Sequence, residues 1–141
     1  MTAGAKPQSM PRFDSSVGAD AGVSMASPRA ARSVSGRSAD KAVLMLGNYR
    51  PALAAARALG DMGYRVVLGA EPGSTGAERS RFVDEIWTLP QPERGVEAFR
   101  DALAERLRSD PGIAFVLPMR ESILELVDAS RDVIPNDVLL A

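Results

Sequence analysis

The 141-residue chain contains no cysteine and no histidine. The first absence excludes disulfides, thiolate zinc sites and cysteine nucleophiles. The second removes the usual general base and the commonest metal ligand, leaving carboxylate, lysine or tyrosine chemistry. Charge of one sign is missing too. With 17 Lys and Arg against 18 Asp and Glu, and a net charge of −1, no nucleic acid and no anionic membrane is expected as a partner. No apolar run approaches the roughly 20 residues of a membrane-spanning helix, and the N-terminus lacks the apolar core of a secretory signal. The expectation is a cytoplasmic protein with one folded domain.

What is present divides near Asp40. Residues 1–39 are rich in Ser, Ala, Gly and Pro, with Phe13 their only aromatic. Such a stretch buries too little apolar surface to offset roughly 1 to 2 kcal/mol per residue of backbone ordering, so a disordered tail is expected. Its arginines Arg12, Arg29, Arg32 and Arg37 vaguely suggest a targeting peptide, but no amphipathic helix accompanies them. An over-extended start, with Met25 as a second initiator, is the other bland account.

From Lys41 to Glu71 the chain reads strand, loop, helix, strand. Ala42 to Leu46 is wholly apolar, Gly47-Asn48-Tyr49-Arg50 forms a loop, Pro51 opens an alanine-rich helix, and Gly63 closes it before Val66 to Ala70. Two apolar strands joined by such a helix lie side by side as a right-handed parallel pair. After the turn-forming Pro72 to Gly76, a third strand is placed at Ile86 to Leu89, stopped by Pro90 and Pro92. Val96, Phe99, Leu103 and Leu107 recur at helical spacing; Ile113 to Leu117 is a fourth strand. A shorter helix from Glu121 to Ser130, with Ile123, Leu124 and Val127 as its apolar side, leads to a last strand at Val138 to Leu140. The fold class predicted is α/β, a Rossmann-like open, mostly parallel sheet of four to five strands with helices on both faces. Its domain spans residues 40–141 and is expected to be incomplete at its C-terminal end, since the final apolar strand has no covering element after it.

In such a sheet the ligand crevice lies where the first strand ends. The helix opening at Pro51 aims its free N–H groups there, and Arg50 adds donors suited to a carboxylate or phosphate. A dinucleotide fingerprint would need three spaced glycines, and only Gly47 occupies such a position; a GxxxxGK[ST] loop is absent. Glu71, at the tip of the second strand, is either an acceptor for ribose hydroxyls or a solvated acid. Arg81 and Asp84 read as an ion pair or loop anchor, and Trp87 as core.

The run LGNYRPALAAARALGDMGYRVVLGAE, then SRFVDEIWTLPQP, then IAFVLPMRESILEL, resembles the N-terminal pre-ATP-grasp domain of ATP-grasp ligases, in the carbamoyl-phosphate-synthase-like and carboxylate–amine ligase group. Gly47, Pro51, Ser80, Arg81, Phe82, Asp84, Pro90, Pro118 and Glu121 carry the resemblance, which covers Lys41 to Ala141. It implies a substrate-side, structural domain without catalysis of its own, truncated before the ATP-grasp core, with no catalytic and no metal-binding residue. ATP and magnesium would belong to the missing ATP-grasp domains, its partners in cis or in trans. It further implies substrate contacts from Asn48, Tyr49 and Arg50 on the first loop and from Arg120 and Glu121 beyond Pro118, with a small carboxylate or phosphate as ligand. Glu121 could instead simply complement its helix dipole. Two alternatives stand beside this: a free-standing Rossmann-like module binding a small anion or nucleotide, and a separately encoded subunit that completes an ATP-grasp enzyme.

Overall fold

The structure, a computed structural model, describes residues 40–141. The expected disordered tail, residues 1–39, lies outside the described residues. The elements follow the expected order: β1 (Ala42–Leu46), α1 (Arg50–Asp61), β2 (Arg65–Ala70), β3 (Glu85–Thr88), α2 (Val96–Ser109), β4 (Ile113–Pro118), α3 (Glu121–Ala129) and β5 (Leu139–Leu140), with short 3-10 turns at Pro92–Arg94 and Arg131–Val133. The five strands form one sheet in the order β3-β2-β1-β4-β5, and every pairing is parallel. β1 is central, which is why all five of its residues are apolar and buried. The strand order reverses between β1 and β4, so the crevice at their carboxyl ends is the topological switch point.

Alternation along β1 sorts the core into two layers. Ala42, Leu44 and Leu46 face α2 and α3, meeting Phe99, Leu103, Leu107, Ile123, Leu126 and Val127. Val43 and Met45 face α1, whose buried side chains are Ala52 and Ala56. Their small side chains let α1 lie close to the sheet. No helix joins β2 to β3. The loop of residues 71–84 serves instead, inserting Ala77, Phe82 and Val83 beside α1. Asp84 fastens its end to β2, accepting the Val66 N–H at 2.8 Å while its own N–H donates to Val66 O at 2.9 Å. Arg81 lies over the Phe82 ring, 4.8 Å from its centroid. Asp84 thus anchors the loop, and Trp87 packs against the α2/α3 layer.

Two expectations need correction. The buried side of α3 is Ile123, Leu126 and Val127, not Ile123, Leu124 and Val127; Leu124 is 48% exposed. Positions 123, 126 and 127 share one face of a 3.6-residue helix, and Leu124 lies about 100° around from Ile123. The last strand is shorter than Val138 to Leu140: β5 is the two-residue edge strand Leu139–Leu140 on β4, with Leu139 exposed. It has one neighbour rather than two, so half of its surroundings is solvent.

At the amino edge of the sheet four charged residues close a ring. Arg65 donates from Nη2 to both Asp110 oxygens at 2.6 Å and from Nη1 to Glu85 at 3.3 Å. Arg106 reaches the two Glu85 oxygens at 2.6 and 2.9 Å and Asp110 at 3.0 Å. β2, β3 and the C-terminal end of α2 are thereby tied together. No helix among the described residues is long and apolar enough to cross a membrane.

Candidate functional site: the carboxyl edge of the sheet

The mouth of the switch point is built by the chain leaving β1 and β4. Sheet hydrogen bonds persist to the rim, with Gly47 N–H donating to Gly69 O at 2.9 Å and Met119 N–H to Leu46 O at 2.9 Å. Gly47 then turns away at φ +115°, a conformation that L side chains avoid. A Cβ there would meet the Arg120 Cγ and the Met119 Cβ at 3.5 Å, ordinary contact distances. The need for glycine is therefore conformational rather than steric. Gly47→Ala is expected to cost about 1 to 3 kcal/mol in urea unfolding; unchanged stability would mean that the loop adopts another φ freely.

Asn48 is buried, and its amide serves the loop. Its Oδ1 accepts the Ala77 N–H at 2.7 Å, and Nδ2 donates to Ser74 Oγ at 3.2 Å and Glu78 Oε2 at 3.0 Å. Glu78 Oε2 also accepts the Gly76 N–H at 2.5 Å. The bond from Asn48, followed by that from Gly76, holds the Glu78 carboxyl below its ordinary range. Asn48 thus clamps the loop leaving β1 to the loop leaving β2.

Tyr49 caps α1 with extended backbone and no side-chain hydrogen bond. Arg50 opens the helix, exposed, with no hydrogen bond or ion pair among the described residues. No acid sits in the first turn of α1, so the positive helix end and Arg50 act in the same direction on an anion at the rim.

Arg120 crosses the mouth. Its stem lies over Gly47, its Nη1 donates to both Glu71 oxygens at 3.1 and 3.2 Å, and its Nε donates to Ser122 Oγ at 3.1 Å. Glu71 is thus an ion-pair partner of Arg120. Glu121 follows Arg120 in the first turn of α3 and is exposed. Of the five nominated residues, Arg120 is joined to Glu71, Asn48 is bound into the loop clamp, and Tyr49, Arg50 and Glu121 line the same carboxyl edge.

The parts played by Glu71, Ser74 and Glu78 were missed. Glu71 and Arg120 stand 49 residues apart, and only the strand order brings them together. Among the described residues no group of three or more carboxylates could hold a metal ion. Their only lysine, Lys41, precedes β1 at the opposite edge of the sheet. Comparisons of the chain with models of protein families, with curated proteins and with solved structures find no significant match.

Proposed function

We propose that this chain is the substrate-side, non-catalytic N-terminal domain of a cytoplasmic ATP-dependent carboxylate–amine ligase of the ATP-grasp type. One observation supports the reading: several residues of the resemblance stand at the turns, helix start and strand end of a parallel β3-β2-β1-β4-β5 sheet. Gly47 turns the chain at the switch point, Pro51 sits in the first turn of α1, Phe82 and Asp84 anchor the β2–β3 loop, and Pro118 ends β4 ahead of Arg120. In this reading the mouth orients a small carboxylate through Arg120 and Arg50. Nucleotide and magnesium are held by ATP-grasp domains supplied in cis or in trans.

The purified chain is expected to show no ATPase and no ligase activity. Calorimetry should find weak, salt-sensitive binding of succinate. Arg50→Ala should weaken it by about two- to fivefold, the scale of one exposed charge. Micromolar, magnesium-dependent ATP binding or measurable turnover by this chain alone would overturn the proposal. The coding sequence beyond Ala141 and the neighbouring genes supply the second test. An ATP-grasp core with its nucleotide-clamping lysines is expected in one of them, and its absence from both would leave only the free-standing module.

A further inference from the structure

The ion pair across the mouth has a loose geometry. Glu71 holds the Arg120 guanidinium through Nη1 alone, shared between both oxygens at 3.1 and 3.2 Å. Nη2 has no partner among the described residues. A carboxylate that takes Nη1 and Nη2 together, in two parallel bonds, makes the stronger arrangement. Both partners are open to water, with 42% of the Arg120 side chain and 23% of the Glu71 side chain exposed. Their pairing is therefore of the weak, exchangeable kind. Nε, bonded to Ser122 Oγ, and the stem over Gly47 keep the guanidinium at the mouth whichever anion it meets.

We infer that Glu71 is an internal competitor for the ligand: it latches Arg120 across the mouth, and a small carboxylate binds by displacing Glu71 and taking the two-nitrogen face of the guanidinium. The inference rests on the proposed function, in which this mouth is the substrate side. Glu71 then weakens binding twice, by occupying Arg120 and by leaving its own negative charge beside the incoming anion. The latch also sets selectivity. A ligand without an anionic group cannot displace Glu71, so neutral isosteres of the substrate are rejected.

The test is calorimetric titration of the full chain with succinate at low ionic strength. Glu71→Gln removes the competing charge and keeps the shape, and should tighten binding by about two- to fivefold. Arg120→Ala should abolish that gain, so that the double variant binds no better than Arg120→Ala alone. Arg120→Lys, which keeps the charge without the fork, should resemble Arg120→Ala. Suppose Glu71→Gln binds succinate no better than the parent, or less well, while Arg120→Ala still weakens it. Glu71 then positions Arg120, and the latch is overturned while the site stands. Failure of succinate to bind the parent and the Glu71→Gln variant alike would remove the latch together with the mouth as a carboxylate site.

Discussion

Asp110→Asn is expected to lower the unfolding free energy of the chain by about 1 to 3 kcal/mol at neutral pH, and by almost nothing in acid. Asp110 is the shared acceptor of Arg65 and Arg106. Without its charge, two guanidinium groups that are 30% and 12% exposed face each other with Glu85 between them. Breaking a fully buried pair costs about 3 to 5 kcal/mol, and partial access to water reduces that here. The pH dependence follows from the carboxyl group. Burial acts to raise its pKa, but the hydrogen bond and charge of Arg65, with the charge of Arg106, outweigh burial and hold it below the ordinary carboxylate range. A group depressed in the folded state stabilises fully above its unfolded value, about 3.9, and that contribution disappears as pH falls through the folded value. Urea unfolding of both proteins from neutral to acid pH should show the difference closing below about pH 4. A gap that persists undiminished into strong acid would place the effect in packing rather than in charge.

That ring was hidden from sequence reading for the same reason as the Arg120–Glu71 latch. Its longest link joins Arg65 to Asp110, 45 residues apart, and Arg65 meets Glu85 because β2 and β3 are neighbours, a fact of strand order rather than of local pattern. Local pattern served well where one kind of residue ran unbroken between clear stops. β1 was bounded correctly by Lys41 and Gly47, and α1 by its proline near the start and Gly63 after its end. α2 announced itself through Val96, Phe99, Leu103 and Leu107, of which the last three are its buried residues while Val96, in its first turn, is exposed. α3 has only nine residues, too few turns for its apolar side to be distinguished from a neighbouring leucine. The candidate site was legible as a place, the carboxyl edge at Gly47, and partly as a cast. Arg50 could be nominated from position and Arg120 only through the resemblance, but the division of labour between them could not. It depends on Arg120 being paired across the mouth and Arg50 having no partner among the described residues.

Removing the Asn48 amide should loosen the rim more than any change in the charged residues around it. Asn48→Ala leaves the buried Ala77 N–H without its acceptor and deprives Glu78 of a donor. An orphaned buried donor costs about 1 to 3 kcal/mol, and a loss of about that size is expected. Gly76→Ala attacks the same clamp from the other side. Its Cβ would stand 2.7 Å from Asn48 Oδ1 and 2.9 Å from the Tyr49 Cα, so one of the two loops must move. Both changes break one contact, and groups acting as a unit are not additive. The double variant should therefore cost little more than the worse single one. Hydrogen exchange localises the effect: the amides of Gly76 and Ala77 should exchange faster in either variant, while those of Leu44 and Val67 in the centre of the sheet change only as global stability does. Fully additive losses, or unchanged exchange at Ala77, would show that Asn48 and Gly76 act separately. The first loop would then be held in place by Gly47 and the α1 packing alone.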